Sequence, residues 1–168
     1  RPRARRLALR VVRGSAALGR SPRRAVLTIG NFDGLHIGHR QILRTVIDRA
    51  RAHDGEAVVY TFDPHPRKVL QVGRPPSLLT TTEQKLELLA AAQIDLVVVE
   101  PFTAAFAKTT PEQFVREHVH AHIAPVAVRA GHHEGVGTPR PSPEGEFRLG
   151  AVAERIVVAC FREGGEFF

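Results

Sequence analysis

The decamer GNFDGLHIGH, residues 30 to 39, places three glycines, an aspartate and two histidines side by side. Glycine lets a backbone approach a ligand closely and adopt positive φ. His36 and His39 are three residues apart, so on a helix both imidazoles project from one face of the first turn. Gly38 lies between them and adds no side chain to block access. The free N–H groups at a helix start, with the helix dipole, attract anions. Two imidazoles and several amides suit a polyphosphate. Such donors stabilise charge on phosphorus while pyrophosphate leaves, by positioning and electrostatics and with no covalent intermediate required. No Gly-Lys-Ser/Thr follows, so this is not a Walker loop. The chain holds nine histidines, so a bare His-x-x-His pair would more often be surface. The Phe-Asp-Gly before it, a strand upstream and a helix downstream give this pair its significance.

The elements that position the decamer follow from periodicity. Ala25 to Gly30 is a strand candidate, and Ile42, Leu43, Val46, Ile47 and Ala50 recur at helical spacing up to about His53. Asp54-Gly55 turns the chain. Ala57 to Phe62 is a β-branched and aromatic second strand, and the proline-rich stretch from Asp63 to Ser77 is expected to be a loop. Thr80 and Glu83 have capping-box spacing and predict a helix with Leu86, Leu89 and Ala90 inward. Residues 94 to 100 (IDLVVVE) form a continuous apolar run, as in a strand covered on both faces. Thr110-Pro111-Glu112-Gln113 opens a further helix, and Ala124 to Val128 is a weaker fourth strand. This alternation predicts an α/β domain, a Rossmann-like parallel sheet with helices on both faces. Beyond Arg129 only Ile156 to Cys160 has strand character.

The net charge of +7 is concentrated at one end: residues 1 to 24 carry nine arginines and no acid, which leaves 15 basic against 17 acidic residues elsewhere. The near-neutral remainder argues against a nucleic-acid groove. Residues 1–24 are expected to be an Arg-rich N-terminal extension, either an unstructured leader or a transit-like segment. There is no Met, and the chain is expected to begin downstream of a translation start. Cys160 is the only cysteine, which excludes a disulfide framework or cysteine-based zinc site and fits a reducing, cytoplasmic compartment. No apolar run approaches the roughly 18 residues of a membrane span. His118, His120, His122, His132 and His133 lack a carboxylate or cysteine in a recognisable ligand pattern, so no metal site is expected.

GNFDGLHIGHRQIL resembles the G-x-F-D-G-x-H-x-G-H motif of the nucleotidylyltransferase superfamily. In its Asn-Phe-Asp-Gly form it is similar to the bacterial FAD synthetase family, the bifunctional riboflavin kinase/FMN adenylyltransferases. TFDPHP, LLTTTEQKLELLAAAQIDLVVVEPF and FAKTTPEQFVREHV extend the resemblance from about Val26 to Val128. It implies an adenylyltransferase domain over residues 25–129 that transfers AMP from Mg²⁺-bound ATP to FMN, giving FAD and pyrophosphate. Its partners are then small molecules, with no nucleic acid or membrane, and the oligomeric state is open. It further implies that His36 and His39 contact the ATP phosphates and are catalytic. Gly30, Phe32, Asp33, Gly34 and Gly38 shape the nucleotide pocket, with Asn31 at its mouth. Phe62, Asp63, Pro64, His65 and Pro66 lie on the flavin side, Phe62 and the prolines as a rigid apolar wall. The family's downstream I-S-S-T-x-x-R motif and its kinase domain have no counterpart here, so residues 130–168 are expected to be a divergent or truncated segment. Two alternatives stay open: a nucleotidylyltransferase acting on phosphopantetheine or nicotinamide mononucleotide, and an impaired remnant that only binds nucleotide.

Overall fold

The computed structural model describes residues 8–70 and 77–129. Five strands form one sheet: β1 (Arg10–Arg13), β2 (Val26–Ile29), β3 (Ala57–Asp63), β4 (Leu96–Pro101) and β5 (Ala127–Arg129). Their spatial order is β1-β4-β3-β2-β5, and every neighbouring pair is parallel. The α/β architecture expected from the alternating pattern is therefore present. The long helix α1 (Ile37–Ala52) connects β2 to β3. After β3 come a short α2 (Pro66–Leu70) and then α3 (Thr82–Ala91), which leads into β4. A last helix, α4, starts with α geometry at Pro111–Gln113 and continues in π geometry through Phe114–His120 before β5.

Side chains alternate between two cores, as the two-residue strand period requires. Leu27, Ile29, Val58, Tyr60, Phe62, Leu96 and Val98 face one side, with Phe114, Val115 and Val119 of α4 packed over them. Val26, Ala57, Val59, Val97 and Val99 face the other, under Leu43, Val46, Ile47 and Ala50 of α1 and Leu89 of α3. Burial on both faces explains why residues 94–100 read as an unbroken apolar run.

Besides a later start of β5, at Ala127 instead of Ala124, and an exposed Ala90 on α3, three elements differ from the sequence expectation. Arg10–Arg13 was placed in the N-terminal extension and instead forms the edge strand β1, in register with Leu96–Val99. An edge strand buries little of itself: Val11 is 41% exposed and the burial alternates. Its place comes from backbone pairing with β4, which leaves no hydrophobic signature. After it, the Ser15 N–H donates to Glu100 Oε2 at 2.9 Å and the Ser15 hydroxyl lies 3.0 Å from His118 Nδ1. Tyr60 also donates to Glu100 Oε2, so one buried carboxylate joins β3, β4 and the chain following β1. Secondly, Pro66–Leu70 is helical where a loop was expected, with Pro66 at the helix start, where its missing N–H costs nothing. Thirdly, the cap of α3 is Thr81 with Gln84, one residue later than expected. The box at Thr110 and Gln113, with Pro111 inside the first turn, is as expected. The candidate strand Ile156 to Cys160 and the whole of 130–168 lie outside the described residues, as do residues 1–7 of the expected leader. Among the described residues no helix is long and apolar enough to cross a membrane.

Candidate functional site

The chain runs β2, β3, β4 in one direction across the sheet and then returns to place β5 on the other side of β2. The carboxyl end of β2 is thus the point where strand order reverses, the crevice in which open α/β sheets bind ligands. The decamer begins there.

Its backbone is contorted. Phe32, Gly34 and Leu35 all have positive φ, at 51°, 69° and 39°. Such conformations are uncommon for non-glycine residues and need surrounding structure to hold them. Phe32 and Leu35 act as pegs, 2% and 3% exposed, in the core beneath α1 and α3. Asp33 supplies the third anchor. Its carboxylate accepts from the Leu79 N–H at 2.9 Å, the Thr80 N–H at 2.9 Å and the Thr80 hydroxyl at 2.9 Å. The Thr80 hydroxyl also accepts from the Gly34 N–H at 3.2 Å. This explains the shifted cap: Thr80 is engaged with the decamer, so Thr81 caps α3. Burial alone would raise the Asp33 carboxyl. The Leu79 and Thr80 hydrogen bonds and the Lys85 ammonium outweigh it and hold Asp33 below the usual carboxylate value. Gly34 packs against Leu79, where a Cβ would come within 2.8 Å of Leu79 Cδ1. Phe32, Asp33 and Gly34 therefore shape the decamer from within.

The two histidines emerge from this frame. His36 is the N-cap of α1, its side chain makes no capping bond, and the first turn holds no acid. The helix start thus keeps unpaired N–H groups and an uncompensated dipole. The imidazoles of His36 and His39 stack with centroids 3.7 Å apart and planes 27° apart. A Cβ on Gly38 would stand 3.2 Å from His36 Cε1, so glycine there gives the His36 ring its room. His36 is exposed, whereas His39 is half-buried beside Phe32 at 5.1 Å. Burial, then the neighbouring His36, depress His39 to about 4, against a partial counter-effect from Asp33. His39 is therefore neutral near pH 7 in the ligand-free protein. Among the described residues its Nδ1 and the Asn31 Oδ1 are buried without hydrogen-bond partners. Gly30 is buried at the end of β2, its N–H bound to the Tyr60 carbonyl.

The segment after β3 flanks this cradle. Thr61 donates to the Asn31 carbonyl at 3.2 Å, joining the two loops. Asp63 lies 3.7 Å from Arg13 Nη1, the Asp63–Pro64 peptide is cis and Pro64 is exposed. The Arg67 N–H donates to His65 Nδ1 at 3.2 Å, so the His65 proton sits on Nε2. Burial, then Lys85, lower the His65 pKa. Pro66 is buried. Phe62 is 2% exposed, inside an aromatic cluster with Phe102, Phe106 and Phe114. It backs the segment from the core and does not form its outer surface, as the expected apolar wall would require.

Thr61 and Lys85 were not anticipated from the sequence, and Thr80 was expected only as a helix cap. Lys85 was detectable, because it lies four residues before inward Leu89 and so occupies the buried face of α3.

The FAD synthetase family model matches residues 19–149. The chain belongs to the FAD synthetase family. That match starts before and ends after the expected 25–129 span. The bifunctional riboflavin kinase/FMN adenylyltransferase of Escherichia coli K12 is 32% identical over 142 residues, covering 84% of this chain and 44% of that protein. An FAD synthetase of Listeria monocytogenes is 38% identical over 104 residues, covering 61% of this chain and 42% of that one. This FAD synthetase family member thus spans less than half the length of these curated relatives. The crystal structure of a macrolide-efflux protein from Streptococcus pneumoniae superposes with a TM-score of 0.62 at 22% identity, over 74% of this chain and 41% of that one, a likeness of fold.

Proposed function

We propose that this chain is an FMN adenylyltransferase domain, which transfers AMP from ATP to FMN to give FAD and pyrophosphate in the cytoplasm. The observation that carries the proposal is the stacked His36–His39 pair at the uncapped start of α1, at the sheet's switch point. An oxygen of the FMN phosphate attacks the α-phosphorus of ATP. The new O–Pα bond forms as the bond from Pα to the bridging oxygen breaks, and pyrophosphate leaves with that electron pair. Negative charge grows on the oxygens around Pα and on the leaving group. The histidine N–H groups and the amides of the first turn of α1 are preorganised donors for it. A polyphosphate beside His39 favours its charged form, opposing the burial that keeps it neutral in the free protein. Mg²⁺ arrives with ATP as part of the substrate. The segment Asp63–Pro66, next to the cradle, faces the flavin, and this distinguishes FMN from other phosphate acceptors. In the proposed site Gly30 and Asn31 line the nucleotide side, and Asp63, Pro64, His65 and Pro66 the flavin side.

The test is incubation with ATP, Mg²⁺ and, separately, FMN, phosphopantetheine and nicotinamide mononucleotide. FAD and pyrophosphate from the FMN reaction alone is the expected result. Adenylylation of either other acceptor without FAD formation overturns the proposal, and ATP binding with no turnover on any acceptor supports the impaired remnant.

A further inference from the structure

Lys85 is the one lysine of α3, and it points inward: the residue is 7% exposed. Its Nζ reaches the Thr61 hydroxyl at 3.4 Å, a long contact. An ammonium has three donors, and among the described residues no carboxylate comes within 4.0 Å of this one. The two carboxylates whose fields act on it are already engaged. Asp33 accepts three hydrogen bonds from Leu79 and Thr80, and Asp63 lies beside Arg13. A cation that is largely desolvated and poorly paired is costly, and such groups persist where something else meets their charge.

The location indicates what that is. Thr61 stands near the carboxyl end of β3, two residues before Asp63, and its hydroxyl donates to the Asn31 carbonyl of the decamer. Lys85 therefore lies at the junction of the His36–His39 cradle and the segment after β3. It also depresses the basicity of His39 and His65, one on each side of that junction. Adenylyl transfer must bring a phosphate dianion against a polyphosphate, two groups that repel each other. A buried cation on the acceptor side offsets that repulsion where the two anions meet.

We infer that Lys85 binds the phosphate monoester of the acceptor nucleotide, holding it toward the α-phosphorus of ATP. The inference rests on the FMN adenylyltransferase activity proposed for this site. From α3 the Lys85 ammonium reaches Thr61 of β3, the strand that carries the flavin-side segment, which assigns it to the acceptor phosphate and leaves the triphosphate to the histidines.

Riboflavin provides the control, because it has the flavin ring without the phosphate. Equilibrium titrations with FMN, riboflavin and ATP compare the unsubstituted chain with Lys85→Gln and Lys85→Arg. Loss of a charge-assisted hydrogen bond predicts about 10- to 100-fold weaker FMN binding in Lys85→Gln, with riboflavin and ATP within about twofold and most FMN affinity restored by Lys85→Arg. Equal losses for FMN and riboflavin, or a loss for ATP in place of FMN, overturn the inference. Should the variants fail to fold, the ammonium ¹⁵N resonance of Lys85 in the unsubstituted chain provides the measurement. It shifts on adding FMN and stays put with riboflavin, and no shift with FMN overturns the inference. A chain that binds FMN through Lys85 yet forms no FAD contradicts the proposed activity alone. FAD formation with FMN affinity unchanged in Lys85→Gln contradicts the Lys85 inference alone.

Discussion

His39 combines a buried, unpartnered Nδ1 with a stacked neighbour that would share its charge. Both make protonation of the folded chain unfavourable and lower its pKa from 6.5 to about 4. When acid is added, the unfolded chain therefore takes up a proton near 6.5 that the folded chain refuses. The contribution of His39 to stability is complete above about 6.5 and is lost as pH falls toward about 4. His65 is lowered from 6.5 in the same sense and adds to the slope. Asp33, lowered from 3.8, contributes fully above that value and loses its part only as pH falls further. The urea midpoint should thus drop between about pH 7 and about pH 5, and His39→Ala should flatten that drop. A slope identical in the two proteins would show that His39 titrates normally in the folded chain. The pairing of His36 and His39 at a helix start was legible in the sequence, because residues three apart share one face of a helix. The inward engagement of Phe32 and Asp33 was not, because their partners, among them Leu79 and Thr80, are distant in sequence.

At the scale of elements, the threonines before α3 divide two tasks that the sequence reading merged. TTTEQ fits a capping box in two registers, Thr80 with Glu83 and Thr81 with Gln84, and local spacing cannot choose between them. Asp33, 47 residues upstream of Thr80, makes the choice by accepting its hydroxyl at 2.9 Å. Thr81 then caps through Gln84, whose side chain accepts from the Thr81 N–H at 3.0 Å. Thr81→Ala should cost about 1 kcal/mol of stability through the lost cap, and should leave ATP affinity unchanged. Thr80→Ala should weaken ATP binding, since it removes two of the bonds that fix the decamer, one to Asp33 and one from Gly34. Thermal melts and ATP titrations of both variants check this, and an ATP defect in Thr81→Ala with none in Thr80→Ala would reverse the two roles. The edge strand β1 marks the limit of element prediction. RVVR has four residues and two charges in an arginine-rich stretch, and what makes it a strand is the free edge of β4, far along the chain.

At the scale of the whole molecule, the alternating pattern was sufficient for the parallel sheet, because each crossover helix dictates parallel neighbours. The return of the chain to β5 beside β2 was not written in any local pattern, and it sets the crevice in front of His36 and His39. The sheet, the pegs of the decamer and the α3 loop together hold two imidazoles at the start of a helix with no acidic cap. This assembly is the proposed adenylyl-transfer centre. The most direct measurement is single-turnover FAD formation from ATP and FMN by the unsubstituted chain and by His39→Ala, with melting temperatures determined alongside. The expected result for His39→Ala is a rate lower by about 100- to 1000-fold, the loss of one preorganised donor, with the fold retained. FAD formed at the unsubstituted rate by a folded His39→Ala chain would contradict it.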